Sequence, residues 1–316
     1  MASGRYLMVS LAIGALPWPA LAEPPEVVVS IKPIHSLVAG VMRDVGEPEL
    51  LIEGAGSPHT YSLRPSEARA IAGADVVFWV GEGLETFLAR PLATLAPDAR
   101  LVELGAALGV ALLPTRSGGM WQEHHGEGDG DHVEEEAHGH GASDMHVWLD
   151  PRNARAMVDA IATTLAGSDP ENADAYEANG ASLREQLDDL DRRIAETLAP
   201  VVDRPFVVFH DGYQYLERRY GLHAIGSISV GPDRRPGARR LGEIRDVLEE
   251  TDAACVFAEP QFEPALVATV IEGTSARSGV LDPLGAGLDA GPDQYFRLVE
   301  GLAASLVDCL GAARAG

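Results

Sequence analysis

The chain has 316 residues, enough for one large domain or two moderate ones, with 48 acidic against 24 basic side chains and a net charge of −24. That balance excludes nucleic acid as a partner, because neutralising phosphates takes clustered Lys and Arg, and it suits a protein that attracts cations. No segment beyond the first residues reaches the roughly 18 apolar residues that a membrane-spanning helix needs.

Residues 1–22 read as a secretory leader. Arg5 is the positive region, Tyr6 to Leu16 the apolar stretch, and Ala20-Leu21-Ala22 a small-x-small cleavage site. Cleavage after Ala22 leaves no cysteine at the new terminus, so a lipid anchor is not expected. The mature chain is expected to be soluble, exported and periplasmic.

An N-terminal α/β lobe is expected over 23–168. Val27-Val28-Val29-Ser30-Ile31 is a β-branched run of the kind found in parallel strands, and the following segment, with His35, enters a helix bounded by Gly40 and Gly46. Leu50-Leu51-Ile52 is a second strand, and a turn-rich stretch then carries His59. Arg64-Pro65-Ser66-Glu67 opens a helix with Ser66 as the expected cap. Asp75 to Gly81 and Leu101 to Leu104 are further strands, so strand and helix alternate as in an α/β layer structure.

A loop over 115–144 interrupts this lobe. From Trp121 it is rich in acids and histidines, and five of the chain's ten histidines lie there: His124, His125, His132, His138 and His140. Such a tract cannot bury enough apolar surface to offset its chain entropy. Imidazoles and carboxylates together suit borderline divalent ions such as zinc, which makes these histidines auxiliary metal ligands; a merely solvated acidic surface is the bland alternative. His146 is the first histidine beyond the tract.

A linking helix is expected over 169–199, with Asp169 as cap, Pro170 in the first turn, and Leu183, Leu187, Leu190, Ile194 and Leu198 at helical spacing. The second α/β lobe, 200–316, restarts with strand Phe206 to Phe209, which ends at His210. Cys255 to Pro260, with Glu259, parallels Asp75 to Val80 of the first lobe. Leu281-Asp282-Pro283-Leu284 ends a last strand, and Tyr295 to Leu310 closes the chain as a helix. Cys255 and Cys309 are the only cysteines. In an oxidising compartment they are most simply one disulfide, and two thiolate metal ligands are the alternative.

In open α/β sheets ligands bind at the carboxyl ends of strands, and a site between two lobes draws on both. His59, His146, His210 and Asp282 meet that expectation, and three imidazoles plus a carboxylate suit tetrahedral zinc.

Five segments in order carry a family resemblance: His59-Thr60-Tyr61-Ser62-Leu63-Arg64-Pro65-Ser66, His146-Val147-Trp148-Leu149-Asp150-Pro151, Phe209-His210-Asp211-Gly212-Tyr213, Phe257-Ala258-Glu259-Pro260-Gln261-Phe262 and Leu281-Asp282-Pro283-Leu284-Gly285. They resemble the signature segments of ZnuA-type solute-binding proteins, the cluster A-I metal receptors of ABC importers. The resemblance spans essentially the whole mature chain. It implies two Rossmann-like lobes joined by a long rigid backbone helix, with Zn2+ held in the interlobe cleft as transported cargo. It also implies a non-enzymatic receptor, expected as a monomer, that delivers the ion to a membrane permease served by a separate ATPase. Under it His59, His146 and His210 match the family's three histidine ligands, and Asp282 matches a carboxylate that completes the site in many members. Pro58 stands where some relatives carry a fourth, Glu ligand. His210 stands where manganese-binding relatives usually place Glu. Cys255 and Cys309 match a pair that is disulfide-bonded in some relatives. His35 and Glu259 are candidates for the shell behind the ligands. The alternatives are a manganese receptor of the same family, a periplasmic zinc buffer or chaperone, and a zinc hydrolase, the last lacking a His-Glu-x-x-His helix.

Overall fold

Short apolar runs, covered on both faces, build two parallel sheets. The computed structural model describes residues 24–121, 143–229, 236–251 and 253–311; the expected leader (1–22) and the tract histidines His124, His125, His132, His138 and His140 lie outside the described residues. In the first lobe β1 (Val27–Val29), α1 (Lys32–Val41), β2 (Glu49–Leu50), α2 (Pro65–Gly73), β3 (Val76–Trp79), α3 (Thr86–Leu95) and β4 (Arg100–Glu103) alternate. Their strands lie in the order β2-β1-β3-β4, all parallel. Every residue of β1 and β3 is buried, as parallel strands sandwiched between helices require.

β5 (Leu113–Pro114) and β6 (Ser143–Asp144) then pair antiparallel at the base of the His/acid-rich tract. Two helices follow, α4 (Pro151–Ser168) and α5 (Ala173–Leu198). The second lobe contains β7 (Pro205–His210), α6 (Gln214–Tyr220), β8 (His223–Ser229), α7 (Ala238–Thr251), β9 (Cys255–Ala258), α8 (Pro264–Ile271), β10 (Arg277–Val280) and α9 (Gln294–Gly311). Its strand order, β8-β7-β9-β10, repeats that of the first sheet strand for strand. In both, the order reverses beside the first strand, where α/β sheets open a ligand crevice.

Leu183, Leu187, Leu190, Ile194 and Leu198 form the buried stripe of α5. That stripe packs against α1 and α4 of the first lobe and α9 of the second, so one apolar core runs through both. A smaller core, around Phe209, Ile228, Ile244 and Val256, covers the other face of the second sheet. Cys255 of β9 and Cys309 of α9 form a disulfide with a Cα–Cα distance of 6.2 Å. The two are 54 residues apart in sequence; closing such a loop stabilises by about 4 kcal/mol on the chain-entropy view, and it leaves neither sulfur as a thiolate ligand. Among the described residues no helix is long and apolar enough to cross a membrane.

Two expected caps are different in the structure. Ser66 does not cap α2: Pro65 fills its first turn, and the Arg64 backbone N–H is taken by the Glu67 carboxylate at 2.7 Å. Proline at the first position shifts the cap one residue ahead of it. Asp169 makes no backbone cap either. Its carboxylate accepts the Asn172 amide at 2.8 Å and the Tyr176 hydroxyl at 3.0 Å, and a 3-10 turn over Pro170–Asn172 precedes α5.

Candidate metal centre

Three imidazoles meet between the lobes. His59 sits on the turn between β2 and α2, behind Pro58, with the Thr60 N–H closing that turn onto the Ser57 carbonyl at 3.2 Å. His146 precedes the fully buried 3-10 turn Val147–Leu149, whose first carbonyl is held by the Asn153 amide at 3.2 Å. His210 is the last residue of β7, carried there by the buried run Phe206–Phe209. The metal-binding atoms of the three lie within 4.8 Å of one another. His146 Nε2 is 3.2 Å from His59 Nε2 and 3.1 Å from His210 Nε2.

Two buried carboxylates fix what those nitrogens present. Asp144 Oδ1 accepts both the backbone N–H of His146 at 2.9 Å and its ring Nδ1–H at 2.7 Å. Glu259 Oε1 does the same for His210, at 3.1 Å and 2.7 Å. An imidazole that donates from Nδ1 in its neutral form shows a lone pair at Nε2. With both rings neutral, the two Nε2 lone pairs face each other across 3.1 Å with room for a cation between them. A tetrahedral ion bonded to nitrogen at about 2.0–2.1 Å needs nitrogens about 3.3–3.4 Å apart, close to what is found. The carboxylate–histidine–metal relay also raises ligand basicity.

The electrostatics of the rings differ from one another. Burial, together with the neighbouring imidazoles His146 and His210, pushes the His59 pKa down to about 2, so its ring is neutral at physiological pH. Burial pulls His210 down as well, but the Glu259 carboxylate outweighs it and the net shift is upward. Burial favours the neutral Asp144 carboxyl, yet His146 and its two N–H groups hold it below the usual carboxylate range. The cavity lined by the three histidines, Trp148, Glu259 and Pro283 has a volume of about 10 Å3, room for a single small ion or water.

Not every expected residue joins the cluster. Asp282 is not brought to the histidines; both its oxygens are taken by N–H groups of its own loop and by Gln261. Cys255 and Cys309 are bonded to each other. His35 is buried on α1 with Nε2 against the Pro48 carbonyl at 3.0 Å, away from this cavity. Glu259 stands behind His210, on the candidate shell. Asp144 escaped sequence reasoning, because an acid two residues before His146 is indistinguishable from the acidic run preceding it. So did Arg116, whose guanidinium bridges Asp211 and Glu217 of the second lobe and stacks on Trp121 at 3.5 Å.

Removing the charge behind either ring tests the relay. Asp144→Asn and Glu259→Gln are each expected to weaken zinc binding about 10- to 100-fold while keeping the stoichiometry. Chelator competition measures it, and parental affinity in both variants would detach the carboxylates from the metal.

The profile of the ZnuA family, described as "Zinc-uptake complex component A periplasmic", matches residues 27–309. A high-affinity zinc uptake system protein ZnuA from Brucella abortus (strain 2308) is 51% identical over 304 residues, covering 90% of this chain and 91% of the relative. Among solved structures, a crystal structure of ZnuA superposes with a TM-score of 0.75 at 24% identity, covering 91% of this chain and 99% of the other. A zinc-bound ZnuA deletion mutant superposes with a TM-score of 0.72 at 25% identity, covering 92% and 99%.

Proposed function

This chain belongs to the ZnuA family of periplasmic zinc-uptake components, and from that premise we propose that it captures Zn2+ between its lobes and presents it to an ABC-type importer. His59, His146 and His210 supply the three nitrogen ligands. The fourth position falls to water or to a group brought in on closure. The observation that carries this reading is the pair of Nε2 atoms of His146 and His210 facing each other at 3.1 Å, with each ring held from behind by a buried carboxylate. Three imidazoles with no carboxylate among them favour zinc over manganese, whose preferred shells are oxygen.

The same reading assigns the rest of the chain. The leader 1–22 directs export, with cleavage after Ala22. Lobes 23–168 and 200–316 clasp the ion, and 169–199 joins them. The tract histidines serve as auxiliary, weaker zinc ligands. A membrane permease with its ATPase receives the ion. The chain is a receptor and not an enzyme, since the two carboxylates nearest the histidines are spent on orienting rings, which leaves neither poised as a general base.

Calorimetric titration of the metal-free mature chain, with manganese as competitor, tests the proposal. One tight site that keeps zinc against excess manganese is expected, above weaker binding from the tract. Equal or stronger retention of manganese would move the chain to the manganese receptors. Zinc-limited growth that depends on this chain without any permease would make it a buffer.

A further inference from the structure

Asp282 turns its carboxylate onto the loop that walls the metal cavity. Oδ1 accepts the backbone N–H groups of Leu284 at 3.1 Å and Gly285 at 3.0 Å, and Oδ2 that of Ala286 at 2.6 Å. The three carbonyls of those same peptide groups are held from outside. The Pro283 carbonyl accepts the Trp148 indole N–H at 2.8 Å, the Leu284 carbonyl the Gln294 amide at 2.9 Å, and the Gly285 carbonyl the Lys32 ammonium at 3.5 Å. Lys32 also donates to the carbonyls of Ala286 at 2.9 Å and Leu288 at 2.8 Å.

Three successive peptide dipoles are thus strung between a carboxylate of one lobe and donors that include two side chains of the other. Lys32 is 8% exposed, and among the described residues its ammonium forms no ion pair. Burying a cation is costly unless its hydrogen bonds are replaced, so the carbonyls of Gly285, Ala286 and Leu288 are what keep it there, the first of them on a peptide group whose N–H Asp282 accepts. Pro283 and Leu284, the residues so clamped, line the cavity with His59, His146 and His210, whereas Asp282 itself lines a separate cavity beside Arg297.

We propose that Lys32 and Asp282 are positioning residues that clamp the Pro283–Leu288 wall against the metal site from both lobes and so set how fast the bound ion leaves. The proposal rests on the zinc-receptor reading above. Neither residue supplies a metal ligand. Outer groups of a metal site typically change affinity about 10- to 100-fold, and changes within one interface fall mostly on dissociation.

The test is stopped-flow transfer of zinc from the loaded mature chain to excess chelator, in Lys32→Met, Asp282→Asn and the double variant. Each single variant is expected to release zinc about tenfold faster, and the double variant hardly faster than either, because both act on one loop. The visible bands of the cobalt-substituted protein are expected to stay at parental position and intensity in all three. Parental release rates in a folded Lys32→Met chain would overturn the inference, as would cobalt bands altered by Asp282→Asn, which would make that carboxylate a ligand. Should Lys32→Met fail to fold, Asp282→Asn carries both readouts alone. A parent chain that takes up no zinc overturns the functional reading instead.

Discussion

His210→Ala is expected to lower zinc affinity by about two orders of magnitude or more. Structural zinc sites hold their ion with roughly 10–16 kcal/mol shared over about four ligands, so one ligand accounts for about 3 kcal/mol, a factor above a hundred. The substitution also has a cost without metal. Glu259 is 2% exposed, and Oε1 would lose its 2.7 Å ring N–H donor, leaving a buried carboxylate short of a partner. Breaking such a buried pair from one side typically destabilises by about 3–5 kcal/mol, whereas replacing both partners by apolar groups is close to neutral. The single variant should therefore melt lower than its parent in the metal-free state. The double variant His210→Ala with Glu259→Leu should regain much of that stability and none of the affinity. Chelator competition and metal-free thermal melts read the two effects separately. A single variant that keeps parental affinity would place the tight zinc site elsewhere.

The two similar α/β lobes and the α5 stripe were legible in the sequence, because β-branched runs and leucines at helical spacing respond to the nearest neighbours they must bury. The three histidines were legible through the segments around them. What stayed hidden depends on direction. Asp282 stands at a strand end of the right lobe, but whether a carboxylate faces a cleft or its own backbone is decided by the turn after it, and Pro283-Leu284-Gly285 curls three N–H groups onto it. Asp144 was lost in a run of acids; only its pairing into β6, beside Leu113 and under the Tyr215 hydroxyl, singles it out. Nothing in the sequence around Lys32 sets it apart, because its partners lie more than 250 residues away.

Trp148→Ala is expected to unsettle both the fold and the site. The side chain is fully buried, one residue after Val147 in the turn that follows His146 and leads into α4. Its indole N–H donates across the lobe boundary to Pro283, and its own carbonyl accepts the Tyr295 hydroxyl of α9 at 2.7 Å. The ring also packs 5.4 Å from that of His146. Truncating a buried tryptophan costs about 3–5 kcal/mol through lost contacts and the cavity left behind. In a chain of this size that lowers the melting temperature by roughly 10 °C. The cavity would open into the metal cavity, since Trp148 lines it, and would free the Pro283 wall on the side opposite Asp282. Zinc affinity should fall together with stability, yet saturating zinc should still raise the melting point, as any ligand of the folded state does. Trp148→Phe separates the contributions: it keeps most of the ring and loses the N–H, so about 1 kcal/mol of stability should go while the wall over the ion is loosened. Thermal melts with and without zinc make the comparison. If Trp148→Ala melts within a few degrees of its parent, the indole is not what joins the ligand turn to the second lobe, and the metal site must be held closed by other contacts.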